Sequence, residues 1–92
     1  MRDTNDATEL ATAILPYKDG VHECRLERIF VKEDNQEEIR FSWWENGNIV
    51  PRPLGLPERE LLRLFGQAIA NRVFTTEFRE ELRRILEDPE VG

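Results

Sequence analysis

The stretch that decides the fold is Ile39-Arg40-Phe41-Ser42-Trp43-Trp44-Glu45-Asn46-Gly47-Asn48-Ile49-Val50. An aromatic, apolar run enters Asn46-Gly47 and a second apolar run leaves it. Asn-Gly is a strong short-range hairpin signal, because a type I′ turn needs positive φ at both central residues. With Asn46 and Gly47 central, Trp44 lies opposite Ile49 and Trp43 opposite Val50.

Working outward, residues 21–32 read as a first strand, 37–44 as a second and 48–52 as a third. The polar residues 33–36 form the first turn. With Asp34 and Asn35 at its centre, Phe30 faces Ile39, Arg28 faces Phe41 and Leu26 faces Trp43. Period two then separates two faces. One carries Cys24, Leu26, Phe30, Ile39, Phe41, Trp43 and Val50 and is the expected core, with Arg28 and Arg52 flanking Phe41. The other mixes charged residues with Ile29, Val31, Trp44 and Ile49. Pro51 and Pro53 cannot donate to a ladder, which puts the third strand at an edge.

Before the sheet, Asp6 with Glu9 three residues on resembles a capping box, and residues 7–15 read as a short helix ended by Pro16. Residues 17–20 read as a turn. After the sheet, Pro57 opens a helix carrying Leu61, Leu62, Leu64, Phe65, Ala68 and Ile69, and Gly66 within it suggests close packing. A second helix is capped by Thr75 or Thr76, carries Phe78, Leu82, Ile85 and Leu86, pairs Glu80 with Arg84 and Arg83 with Glu87, and stops at Pro89. The expected class is α+β: a three-stranded antiparallel meander with a short N-terminal helix and two C-terminal helices packed on the sheet. It forms one domain over residues 1–92, with residues 1–6 frayed.

Ninety-two residues suffice for one domain, but one this small buries only about 60% of its unfolded surface and gains from a partner. Net charge is -6, spread evenly. Residues 1–20 have two basic groups against four acidic, 21–56 five against seven, and 57–92 six against eight, each a sum of -2. No segment is basic, so duplex nucleic acid and anionic membranes are not expected partners. Nor does any apolar run approach the ~20 residues of a membrane helix. The N-terminus lacks the apolar core of a signal peptide, and a cytoplasmic setting is expected.

Chemistry-bearing motifs are sparse. The one cysteine, Cys24, excludes an internal disulfide. Cys24 and His22 share a strand face, but a metal needs further ligands of suitable type, and a Cys-His nucleophile pair needs a closer base and an orienting group. Phosphate-loop and serine motifs are absent. The reading is therefore non-enzymatic, with no catalytic residue, no metal and no cofactor. Over residues 39–65, the order of strands, Arg-aromatic hairpin and helix resembles the single-stranded-DNA-binding transcriptional coactivators; the chain departs from them in lacking basic strands and in having an extra helix.

The candidate interaction surface is Arg25, Ile29, Val31, Arg40, Trp44 and Ile49, since Trp and Arg are enriched at binding hot spots and these apolar residues exceed what a solvated face carries. The expected role is a non-catalytic interaction protein, a homodimer or a binder of a protein partner, using this mixed face or the edge strand. The alternative is single-stranded nucleic acid, stacked on Trp44 beside Arg25 and Arg40.

Overall fold

The computed structural model describes residues 6–88. Its elements are β1 (Ala7–Pro16), β2 (His22–Val31), β3 (Gln36–Glu45), β4 (Asn48–Ile49), β5 (Leu54–Leu56), α1 (Glu58–Ala70) and α2 (Thr76–Glu87). The strands form one antiparallel sheet in the order β1-β2-β3-β4, with β5 also pairing β3.

The class is α+β, but the architecture departs from the three-stranded meander. Residues 7–16 are an edge strand, not a helix. Local propensity there was weak, with Thr8 and Thr12 β-branched, and pairing with β2 decides the outcome. The ladder runs from Ala7↔Val31 to Pro16↔Glu23 with a register shift between Glu9 and Ala11. The expected turn between helix and strand is instead a hairpin turn. Tyr17 N donates to His22 O at 3.0 Å, Gly20 N donates to Tyr17 O at 3.2 Å, and Gly20 has φ +70. Lys32 N donates to Asp6 O at 3.0 Å, so β1 is also tied at its start. The fraying expected at residues 1–6 otherwise lies outside the described residues, as does the stop at Pro89.

The Asn46-Gly47 turn is as expected: φ is +51 at Asn46 and +78 at Gly47, and Trp44 pairs with Ile49. The other meander register is offset by two residues. Val31 pairs with Gln36 across a loop of residues 32–35, which places Arg28 opposite Ile39, Leu26 opposite Phe41 and Cys24 opposite Trp43. A shift of two preserves face parity, so the two sets of side chains stay as expected. The third strand is shorter than expected and resumes later. Between β4 and β5, Pro51 and Pro53 flank Arg52, which sits at φ +66. The expected linker residues Leu54–Leu56 rejoin the same edge of β3, from Ile39↔Leu56 to Phe41↔Leu54.

The burial of the two faces is the reverse of the expectation. The buried residues of the sheet are Glu27, Ile29, Ser42 and Trp44, all on the mixed face. Leu26, Phe41 and Trp43, on the face expected to be core, are 39–42% exposed.

The chain divides into two compact units, one running to Leu61 and one from Leu62. The second holds most of α1 and all of α2. Phe74 joins them: its ring lies 5.3 Å from that of Phe65 and stacks at 4.7 Å on Phe78. Thr75 caps α2, its Oγ1 accepting from Phe78 N at 3.1 Å. Arg83 pairs with Glu87 as expected, while Arg84 pairs with Glu81, not Glu80. A Cβ at Gly66 would meet nothing within 4 Å, so close packing is not the reason for that glycine.

Candidate functional site

Three places on the sheet concentrate chemistry or unsatisfied surface. The first is the mixed face. Glu27, paired with Arg40 across β2 and β3, accepts at the same carboxylate oxygen Oε1 from Arg40 Nε at 2.9 Å and Ser42 Oγ at 2.8 Å. Trp44 Nε1 donates to Ser42 Oγ at 2.8 Å. The Arg25 guanidinium lies 3.9 Å from the centroid of the Trp44 ring, and its Nε is held by Glu23 at 2.5 Å. Burial pushes the Glu27 carboxyl up, but the hydrogen bonds from Arg40 and Ser42 and the charge of Arg40 outweigh it. The group ends below the usual carboxylate range. Two buried oxygens here, Glu9 Oε1 and Glu27 Oε2, lack a hydrogen-bond partner.

This network brings together the sequence-selected residues Arg25, Arg40 and Trp44, with Ile29 beside them and Ile49 opposite Trp44. Val31 lies further along β2, opposite Ala7 and Gln36. Ile29 is 4% and Trp44 2% exposed. Long arginine stems laid over a ring act as its cover, so this face is a packed polar layer, not an open platform.

The second place is the turn between β1 and β2. Asp19 Oδ1 accepts from Val21 N at 2.8 Å and His22 N at 2.9 Å, and Asp19 Oδ2 lies 2.6 Å from His22 Nδ1. Trp43 packs against this corner, 5.5 Å from the His22 ring and 5.0 Å from Tyr17. The hydrogen bonds from His22 and Val21 hold the Asp19 carboxyl down at about 2. The same Asp19 contact, helped by the charges of Asp19 and Glu45, raises His22 above its ordinary value. His22 is thus engaged with carboxylates. Cys24 is a half-buried free thiol, and no cluster of three or more His, Cys, Asp or Glu able to hold a metal occurs among the described residues. The expected Arg28–Phe41–Arg52 arrangement is not formed as read: Arg28 pairs with Glu37 at 3.0 Å and with Glu58.

The third place was missed by the sequence reading, because it lies on a segment taken as helical. Among the described residues β1 ends the sheet, pairing only with β2. Residues 10–16 are all exposed, including Leu10, Ile14 and Leu15 at 37%, 48% and 61%. Residues 10–17 also carry no Asp, Glu, Lys or Arg, in a sequence that is 35% charged. Sheet edges are ordinarily protected by charge, proline or a covering segment. The opposite edge is protected: β4 is two residues long, and a proline pair interrupts it before β5.

No helix among the described residues is long and apolar enough to cross a membrane. Comparison with family models, with curated proteins and with solved structures returns no match to this chain.

Proposed function

We propose that this chain is a non-catalytic interaction module that associates with a second copy of itself through the β1 side of its sheet. The observation that carries the reading is the exposed, uncharged stretch of the edge strand, residues 10–16. A row of unpaired backbone N–H and C=O groups flanked by apolar side chains is a template for another strand. The small size of the domain acts in the same direction. The surface first selected, around Trp44, is a weaker candidate because the side chains that would make contact are already packed. Single-stranded nucleic acid is disfavoured for the same reason: Arg25 occupies the Trp44 ring face that a base would need, and net charge opposes a polyanion.

The test is molecular mass in solution. Sedimentation at low micromolar concentration is expected to show a dimer. Leu15→Glu, which places a carboxylate on an exposed position of the edge strand, is expected to give a folded monomer with unchanged circular dichroism. A wild-type protein that stays monomeric at several hundred micromolar would overturn the reading.

A further inference from the structure

We infer that β1 pairs antiparallel with β1 of a second copy, with Ala13 on the two-fold axis, and that this pairing closes a dimer and goes no further. The inference rests on the self-association proposed above and adds the register and the stopping rule.

The register comes from which backbone groups are free. Tyr17 N donates to His22 O, and Lys32 N donates to Asp6 O. These bonds mark hydrogen-bonded pairs at the two ends of the β1–β2 ladder. Such pairs alternate with non-hydrogen-bonded ones in antiparallel sheets. Stepping along the observed register, Leu15↔Cys24, Ala13↔Leu26 and Ala11↔Arg28 are hydrogen-bonded pairs. The N–H and C=O of Thr12 and Ile14 therefore point away from β2, towards the side on which the sheet has no further strand among the described residues. Pro16, the next residue of that outward set, lacks the N–H and ends the usable edge.

Three registers use these groups. Centring the axis on Ile14 sets Thr12 opposite Pro16 of the other copy, where no donor exists. Centring it on Thr12 sets Ile14 opposite Leu10, inside the register shift between Glu9 and Ala11. Centring it on Ala13 sets Thr12 opposite Ile14 in both directions, and every N–H meets a C=O. Side chains agree with this choice. Ala13 meets its own copy as a non-hydrogen-bonded pair, in which Cα atoms approach to about 4.5 Å, a separation that suits a small side chain. Leu15 falls opposite Ala11, large against small, on the same side as Leu26. No charge lies within residues 10–16, so two copies of an acidic chain meet where neither carries one.

The stopping rule follows from symmetry. An isologous contact consumes the same edge on both copies. What remains outermost is the edge made by β4 and β5, cut short by Pro51 and Pro53, which cannot extend a ladder. Head-to-tail growth of β1 onto that edge has little to pair with.

The test is a cysteine scan in a Cys24→Ala background, with single replacements Ala11→Cys, Thr12→Cys, Ala13→Cys, Ile14→Cys and Leu15→Cys, mild oxidation, and sedimentation of the unoxidised protein in parallel. Cross-linking is expected to be fastest for Ala13→Cys and to yield dimers alone, and Ala13→Glu is expected to shift the mass to the monomer value with circular dichroism unchanged. A dimer by sedimentation without a maximum at position 13, or one that survives Ala13→Glu, overturns the register while self-association stands. Species larger than dimers overturn the stopping rule. A monomer at every concentration overturns both this inference and the reading beneath it.

Discussion

Trp44 and Trp43 are sequence neighbours on one strand, and their environments are opposite. Trp43 is 40% exposed beside Tyr17 and His22, whereas Trp44 is 2% exposed, with Arg25 over its ring and Ser42 accepting from its indole nitrogen. The pair shows how strictly strand parity sorts residues, and why the chemistry of the mixed face is structural. Glu27 is stabilised as a carboxylate only because Arg40 and Ser42 converge on it, and Ser42 passes that contact on to Trp44. Trp44→Ala removes a fully packed aromatic ring and leaves Ser42 without its donor. Its expected cost is about 3–5 kcal/mol, measured by urea denaturation. A loss below about 1 kcal/mol would show that the ring is not held as described.

Elements differ in how far the sequence announces them. The Asn46-Gly47 hairpin, the Thr75 cap and the helical stripes are local signals, and each appears where its residues put it. β1 is not local. The register shift after Glu9 changes the parity of the strand, so that Ala7 and Glu9 face the same side as Thr12 and Ile14. That phase change hides the period-two pattern and leaves Leu10, Ala13 and Ile14 at spacings a helix would also give. The candidate edge was illegible for this reason, whereas the contents of both sheet faces were legible despite a two-residue error in register. Which face packs was not legible, because the Arg25 guanidinium lies over the Trp44 ring, and pattern alone scores arginine as solvated. The β1–β2 hairpin is pinned by Asp19, which carries a pH signature. Asp19 titrates at about 2 in the fold against an ordinary 3.8. Its contribution is present above 3.8 and lost as pH falls through about 2. His22 is raised above 6.5, so its contribution is present below 6.5 and lost as pH rises through the folded value. The turn is therefore tightest between roughly these limits. In a titration followed by nuclear magnetic resonance, Asp19→Asn is expected to bring the His22 midpoint down towards 6.5; a midpoint that does not move would remove Asp19 as the cause.

For the whole molecule, charge and surface pull in different directions, and salt separates them. Two copies each carry a net charge of -6, so their long-range interaction is repulsive, while the edge on which they are proposed to meet is uncharged. Screening acts on the repulsion and leaves the backbone pairing and apolar contacts in place. Raising the ionic strength from about 10 mM to about 0.1 M shortens the screening length from about 30 Å to about 10 Å, and self-association is expected to tighten over that range. Binding to a single-stranded nucleic acid would have the opposite sign, because releasing condensed counterions becomes less favourable as salt rises. Sedimentation across a salt series, with and without an unstructured oligonucleotide, distinguishes the two. The expected result is a dimer fraction that grows with salt and does not respond to the oligonucleotide. A dimer that weakens with salt would mean that ion pairs hold it, which the uncharged edge cannot supply, and would move the interface to a charged surface. An oligonucleotide complex that forms at low salt and dissolves as salt rises would instead restore nucleic acid as the partner, on aromatic surface that is open, with Trp43 the exposed indole.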